Sequence, residues 1–133
     1  MNRNTNKHKQ EDLVETLRLF RLSESPLHEK QIEDALVKYL KMKGVDVQEQ
    51  KVSHLGRYDL VVNIGTERYC LELKKNADTS CAAQLDRYAR DFDGLVLVCW
   101  KASKPLRAVF AMGKKRAEIP IELVEIRKET EMF

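Results

Sequence analysis

Residues 57–75 read RYDLVVNIGTERYCLELKK, and their pattern predicts a β-hairpin at the centre of the fold. Gly65 and Thr66 have the Gly-X form of a two-residue hairpin turn, and apolar residues alternate on both sides of them. With these two residues as the loop, the facing pairs are Ile64 and Glu67, Val62 and Tyr69, and Leu60 and Leu71. Because strand side chains alternate between faces, the apolar members of these pairs and Leu73 would share one face that packs on a core.

The same register puts two acids opposite each other on the other face of the hairpin. Asp59 would face Glu72, with β-carbons about 5 Å apart. Facing carboxylates repel and destabilise a sheet unless something compensates, and Mg²⁺ is a suitable counter-ion because it prefers oxygen ligands. Lys74 would project from the same face roughly 7 Å along the strand, where it could orient an attacking water or meet charge growing on a phosphate. The pattern is typical of a site for metal-dependent phosphodiester hydrolysis.

An alternative is that Asp59, Glu72 and Lys74 are ordinary solvated residues on the polar face of a hairpin, since short motifs of common residues also arise by chance. Two observations favour a site. The predicted turn sets the register that makes the two acids face each other. Helices expected on both faces of the sheet would make an unpaired acid there costly.

The rest of the chain predicts an α/β fold with a mixed sheet flanked by helices. Residues 1–10 are polar and are predicted to be disordered, and residues 11–133 are predicted to form one domain. The first predicted helix covers 11–22, and the second is capped by Ser25, has Pro26 as its first residue and ends at Gly44. The third covers 78–92, is capped by Asp78 or Thr79 and is ended by Gly94, and the fourth covers 104–116. The predicted strands are 45–52, 58–64, 68–74, 95–100 and 119–126. This order of elements favours a mixed sheet over an all-helical or all-strand fold.

Composition bounds the class of protein. The formal net charge of +3 is compatible with a polyanionic partner without requiring one. No apolar run is long enough to span a bilayer, and the polar start lacks the apolar segment of a signal peptide. We therefore expect an intracellular protein, cytoplasmic or nucleoid-associated, with no membrane partner. Cys70, Cys81 and Cys99 are odd in number and widely spaced, which indicates buried free thiols.

The strings RYD, ending at Asp59, and ELK, from Glu72 to Lys74, resemble the PD-(D/E)xK nuclease superfamily, in particular its RecB-like or archaeal-type endonuclease branch. Tyr58 stands where the family name has proline, a variation that the superfamily commonly shows. The resemblance implies a restriction-endonuclease-like αβββαβ core over residues 26–100. The C-terminal helix and strand, over 101–128, would complete a single nuclease-like domain.

The resemblance also implies roles for the residues of the hairpin. Asp59, Glu72 and the backbone carbonyl of Leu73 would ligate Mg²⁺ or Mn²⁺. Lys74 would position the attacking water or stabilise charge on the phosphate. The implied cofactor is thus a divalent metal ion, and no small-molecule cofactor is expected because the chain has no phosphate-binding glycine loop.

Many members of the superfamily carry a glutamate on the first core helix, about three turns before a glycine. Glu33 matches this position, eleven residues before Gly44, and it lies beside the apolar stripe that includes Leu36 and Leu40. Glu29, one turn earlier on the same side, is the rival, although an acid at a helix start is also favoured by the helix dipole. We take Glu33 as the helix acid, acting through a water or a second metal ion.

Gln84 and Tyr88 share one face of the helix after the third strand, at i and i+4. The pair is similar to the Gln-x-x-x-Tyr signature of the RecB-like branch, in which these side chains border the active site. Tyr88 could instead be an ordinary core residue. The resemblance implies that the pair supports the site or touches the substrate strand.

Basic residues lie where a polyanion could use them. Arg57 precedes Asp59 and Lys75 follows Lys74, and both are candidates for substrate binding, whereas His54 receives no catalytic role. Two further groups could neutralise phosphates, namely Lys101, Lys104 and Arg107, and Lys114, Lys115 and Arg116. The second group could equally serve as cations at a helix C-terminus.

The sequence therefore predicts a metal-dependent DNA endonuclease, an enzyme that hydrolyses phosphodiester bonds with DNA as its partner. One alternative is a structure-selective nuclease for Holliday junctions or flaps, which would act as a homodimer because paired cuts need two-fold symmetry. Another alternative is a non-catalytic nucleic-acid-binding or assembly module of the same fold.

Overall fold

A computed structural model describes the backbone of residues 3–53, 56–113 and 119–129 and the side chains of 10–49, 59–112 and 119–129. The helices are α1 (Arg3–Arg18), α2 (Glu29–Met42), α3 (Ser80–Tyr88) and α4 (Lys104–Gly113). The strands are β1 (Arg21–Leu22), β2 (Asp46–Ser53), β3 (Gly56–Ile64), β4 (Glu67–Ala77), β5 (Gly94–Ala102), β6 (Ile121–Glu125) and β7 (Arg127–Lys128).

The central sheet has five strands in the order β2-β3-β4-β5-β6. The pairs β2–β3 and β3–β4 are antiparallel, whereas β4–β5 and β5–β6 are parallel and are connected through α3 and α4. The run from α2 to β5 has the predicted αβββαβ order, and the mixed sheet is flanked by helices as predicted. Parallel pairs need such helical crossovers, while the antiparallel pairs need only short turns.

Each face of the sheet packs against its own pair of helices. On one face, Leu60 and Leu71 pack in a cluster with residues of α1 and α2. On the other face, Val61 and Cys70 pack in a second cluster with residues of α3 and α4. Cys70, Cys81 and Cys99 are buried free thiols within this second cluster, as the sequence predicted.

The central hairpin has the predicted register. Leu60 pairs with Leu71, Val62 with Tyr69, and Ile64 with Glu67. Gly65 adopts a φ of 61°, a conformation that costs a residue with a side chain about 1–2 kcal/mol, so glycine is the suitable residue for this turn. The predicted apolar face is buried against α1 and α2, with Ile64 partly buried at its edge.

The N-terminal segment differs from the prediction. Helix α1 begins at Arg3, where we expected disorder over residues 1–10, and it ends at Arg18 rather than at residue 22. Residues 3–10 contain neither Gly nor Pro, so a helix nucleated by the buried residues of 11–18 can extend into them at little cost. Arg21 and Leu22 form a strand because they pair with β7, a contact between distant parts of the chain that no local pattern reveals.

The ends of two core helices also differ. Helix α2 begins at Glu29 rather than at Pro26 after a Ser25 cap, because the side chain of Gln31 accepts the backbone N–H groups of Leu27 and His28. The prediction that α2 ends before Gly44 is confirmed, since the helix ends at Met42.

Helix α3 begins after Asp78, whose carboxylate accepts the backbone N–H of Ser80 at 3.0 Å, and ends at Tyr88. Gly94 does not end this helix but opens β5. An added β-carbon there would lie 2.7 Å from Tyr69 Cδ1 and 1.7 Å from Gln10 Oε1, so close packing explains this glycine.

Candidate active site

The site is built at the end of the pairing between β3 and β4. The ladder reaches Leu60 and Leu71, and Asp59 and Glu72 occupy the next position on their strands. Side chains alternate along a strand, so both acids share the sheet face of Val61 and Cys70, which packs against α3 and α4. Asp59 Oδ2 accepts the backbone N–H of Leu73 at 2.8 Å, which fixes this carboxylate against β4.

Glu72 is a buried acid with an incompletely satisfied carboxylate. Glu72 is 3% exposed, and its Oε1 has no hydrogen-bond partner within the described part of the chain. Burial raises the pKa of Glu72 to about 8, and the neighbouring charge of Asp59 adds to this effect. A buried carboxylate is costly in its charged form unless a cation lies beside it, and without a cation it tends to take up a proton.

Asp59 responds to the same surroundings. Burial raises its pKa, while the N–H of Leu73 and the charge of Lys74 act in the opposite direction. Lys74 lies two residues beyond Glu72 on the same face and also lowers the pKa of Glu72. Its ammonium group therefore offsets part of the repulsion between the two acids.

Two acids in the first two turns of α2 influence this pair through their charges. The charges of Glu29 and Glu33 both raise the pKa of Asp59, and Glu29 also raises that of Glu72. Glu33 is 5% exposed and its Oε2 accepts a hydrogen bond from Lys30 Nζ at 2.9 Å. The choice between Glu33 and Glu29 as the helix acid thus stays open.

Lys30 is a residue of this region that the sequence prediction missed. Its Nζ lies 2.9 Å from Glu33 Oε2 and 3.2 Å from Asp34 Oδ1. The i, i+3 and i, i+4 spacing of a lysine and two acids on one helix could have indicated the pairing. This ion pair partly neutralises the charge of Glu33 within its own helix.

The predicted pair on α3 lies on the same side of the sheet as the two acids. Gln84 Nε2 donates a hydrogen bond to Tyr88 Oη at 3.4 Å. Tyr88 is 2% exposed and packs in the cluster that contains Val61 and Cys70. Tyr88 is therefore a core residue on the face of the sheet that carries the two acids.

The basic residues divide into those near the site and those engaged elsewhere. Lys75 projects from the face opposite to Lys74, and its Nζ donates to the carbonyl oxygen of Leu27 at 3.3 Å. Arg107 forms two hydrogen bonds with Glu125, at 2.6 and 2.9 Å, so its charge is paired. The side chains of His54 and Arg57, and the predicted basic group at 114–116, lie outside the described residues.

The described side chains contain few groups that could together hold a metal ion. Across the described side chains, no group of three or more His, Cys, Asp and Glu residues is arranged to hold a metal ion. Mg²⁺ does not need such a group, because it is commonly held by one or two carboxylates with water and phosphate as the other ligands.

None of the described helices is long and apolar enough to cross a membrane.

The fold is similar to the crystal structure of a repair endonuclease from Pyrococcus abyssi, with a TM-score of 0.56 and 17% sequence identity. The similarity covers 78% of this chain and 50% of that chain, so this chain spans half the length of the neighbour. No family model matches the sequence, and no curated protein matches it. At this level of identity the similarity concerns the fold alone.

Proposed function

We propose that this chain is a divalent-metal-dependent DNA endonuclease of the PD-(D/E)xK superfamily. The observation that supports the proposal most is the pair of acids on one face of the sheet, with Glu72 buried and its Oε1 without a partner among the described residues. A protein that only binds nucleic acid gains nothing from facing carboxylates, because they repel phosphate. An intracellular location is part of the proposal, since the substrate is DNA.

The residues at the site fit a hard divalent cation such as Mg²⁺ or Mn²⁺. Asp59 and Glu72 would hold it together with the backbone carbonyl of Leu73, and Glu33 would contribute through a water or a second ion. Carboxylate and carbonyl oxygens are the ligands that such ions prefer. Bound there, the cation would polarise the phosphate and make a water a stronger nucleophile at neutral pH.

Residues of the chain would supply the other groups that act on the substrate. Hydrolysis forms a bond from the water oxygen to phosphorus and breaks the bond to the leaving ester oxygen, which takes up a proton. Lys74 would orient the attacking water or stabilise the negative charge that grows on the phosphate oxygens. Gln84 and the buried ring of Tyr88 would hold the site from the side of α3.

Direct cleavage assays test the proposal. Linear, flapped, single-stranded and four-way DNA should be incubated with the purified protein in Mg²⁺ or in EDTA. We expect cleavage in Mg²⁺ only, and we expect Asp59→Asn, Glu72→Gln and Lys74→Ala each to reduce it by a factor of about 10² or more. The two acid substitutions should keep or tighten DNA binding in a gel shift, because each removes a charge that repels phosphate.

Two further substitutions distinguish the helix acids. Glu33→Gln should lose cleavage and Glu29→Gln should be nearly silent if the buried acid of α2 serves the site. Asp86→Asn, an exposed acid of α3, is the matched control and should cleave as the wild type does. Cleavage that survives Asp59→Asn in pure protein would mean that the activity lies elsewhere. A wild type that binds DNA but cuts none with any divalent ion would favour a non-catalytic binding module.

A further inference from the structure

Strands β3 and β4 separate at the two acids of the candidate site. Their described pairing reaches Leu60 and Leu71, and Asp59 and Glu72 come next on the two strands. From this point β3 stays paired with β2, whereas β4 stays paired with β5. The backbone N–H of Leu73 on β4 donates to the side chain of Asp59 at 2.8 Å rather than to the backbone of β3. The two acids therefore lie at the base of a fork in the sheet, and each arm of the fork is a pair of strands.

One arm of the fork is a two-stranded ribbon, which we call the distal ribbon and define as residues 51–53 of β2 with residues 56–58 of β3. Its register pairs Lys51 with Tyr58, Val52 with Arg57 and Ser53 with Gly56. Three pairs give it a length of about 10 Å, at roughly 3.3 Å per residue. Tyr58 is bonded directly to Asp59, so the distal ribbon starts at the acid pair through the chain itself. A two-stranded ribbon is only marginally stable in water, so contacts with a partner would stabilise it.

The charge of this arm changes along its length. Close to the sheet, β2 carries Asp46 and Glu49, both of which are exposed. The segment 51–58, KVSHLGRY, contains Lys51 and Arg57 and neither Asp nor Glu. The positive charge of the arm thus belongs to its distal part. A polyanion is the partner that matches this distribution of charge.

The other arm of the fork also carries cations. The pairing of β4 with β5 goes on to Ala77 and Ala102. Lys74 and Lys101 belong to this arm, and Lys101 is exposed. A phosphate backbone that passes between the two arms therefore has basic residues on both sides of it.

We propose that the distal ribbon enters the major groove of double-stranded DNA next to the phosphate at Asp59 and Glu72. The inference rests on the proposed function, and it names the element that contacts the bases and the groove in which it lies. Phosphates line the edges of both grooves, so an element that extends about 10 Å from a phosphate site can reach into the adjoining groove. The major groove of B-DNA is about 12 Å wide and about 8.5 Å deep and admits a two-stranded ribbon, whereas the minor groove is about 6 Å wide. The major groove of an RNA helix is too narrow for it.

The first experiment compares two duplexes of one sequence, with binding measured in EDTA so that no DNA is cut. One duplex contains cytosine, and the other contains 5-glucosylhydroxymethylcytosine. The C5 position of a pyrimidine faces the major groove, so the sugar fills this groove and leaves the minor groove unchanged. We expect the wild type to bind the glucosylated duplex about tenfold more weakly, the effect of losing one good base contact. Netropsin, which fills the minor groove, should weaken binding much less.

A shortened variant tests whether the distal ribbon is the element concerned. Replacing residues 52–57 with Asn-Gly joins Lys51 to Tyr58, which already form a pair, through a two-residue hairpin turn. We expect this variant to bind both duplexes with equal affinity. Lys41→Gln, at an exposed position of α2, is the matched control because it also removes one positive charge, and it should keep the preference for the unmodified duplex.

A single substitution gives the same test without shortening the chain. Ser53→Glu adds a negative charge at the last pair of the distal ribbon, and Ser53→Asn is its neutral control. We expect Ser53→Glu to weaken binding of the unmodified duplex and to lower the ratio of the two affinities, because repulsion keeps the ribbon out of the groove. Ser53→Asn should retain the ratio of the wild type.

Several results would overturn the inference. It is wrong if the wild type binds both duplexes equally, if netropsin weakens binding more than the sugar does, or if the shortened variant and Ser53→Glu keep the ratio of the wild type. Cleavage assays on the same preparations separate these outcomes from failure of the proposed function. A protein that cuts DNA but ignores the sugar disproves this inference alone, and one that never cuts but shows the ribbon-dependent ratio disproves the nuclease proposal alone. A protein that does not bind DNA disproves both.

Discussion

Glu72 is held where its charged form is unfavourable, and this conflict has a measurable effect on the stability of the fold. The ordinary pKa of the side chain is 4.5, and in the folded protein burial and the charge of Asp59 raise it to about 8. A group whose pKa is raised by folding stabilises the fold while it is protonated. Its contribution is complete below about pH 4.5 and is lost as the pH rises to about 8. The raised pKa of Asp59 acts in the same direction.

We therefore expect the metal-free wild type to lose unfolding free energy between pH 5 and pH 8. Glu72→Gln carries no charge at either pH, so it should lose less and be the more stable protein at pH 8, by roughly 1–3 kcal/mol. Urea unfolding in EDTA at the two pH values measures the difference. Asp86→Asn, an exposed acid of α3, is the control and should follow the wild type.

Addition of Mg²⁺ at pH 8 extends the same measurement. A cation that binds the folded state alone should raise the stability of the wild type and have little effect on Glu72→Gln. If Glu72→Gln is instead the less stable protein at pH 8 without metal, the surroundings of Glu72 stabilise its carboxylate. The argument that Asp59 and Glu72 need a cation between them is then wrong.

At the scale of secondary-structure elements, the hairpin of β3 and β4 could be predicted because its information is local. The Gly65-Thr66 turn fixes the register, and a shift of one residue would move every apolar side chain to the wrong face. That register is sufficient to place Asp59 and Glu72 on one face of the sheet. The start of α2 was predicted three residues too early because the bonds from Leu27 and His28 to Gln31 depend on a side chain further along the chain.

Pairings between distant segments could not be predicted. Arg21 and Leu22 lie in a strand only because β7 is beside them, so local periodicity extended the first helix over them. The contact between Lys30 and Glu33 follows a known helical spacing, but nothing in the sequence separates a used pair from an unused one. The shared face of Asp59 and Glu72 could be predicted from the register, whereas the hydrogen bond from Lys75 to Leu27 depends on the packing of α2 on the sheet.

The turn itself gives a prediction at this scale. Gly65→Ala should lower the unfolding free energy by about 1–2 kcal/mol, because a β-carbon at a φ of 61° meets the neighbouring carbonyl oxygen. Thr66→Ala, at the adjacent exposed position, should cost much less. Urea unfolding of both variants tests this difference. Equal losses would mean that the strained conformation of Gly65 contributes nothing to the specificity of the turn.

At the scale of the whole molecule, two hydrophobic clusters on the two faces of one sheet position the strands that carry Asp59 and Glu72. The chain spans half the length of the structurally similar endonuclease. The formal net charge of +3 is small, so local groups of lysine and arginine matter more than the total charge.

Salt dependence measures how the whole surface meets DNA. Each Lys or Arg that neutralises a phosphate in duplex DNA adds about 0.9 to the magnitude of the slope of log affinity against log salt. Changing Lys114, Lys115 and Arg116 together to Gln should therefore make the slope shallower by up to that amount for each phosphate that these side chains neutralise. The matched control changes three exposed lysines of and just after α2, Lys38, Lys41 and Lys43, which alters the net charge equally. If both triple variants change the slope by the same amount, the effect comes from net charge, and the basic group at 114–116 makes no direct contact with phosphate.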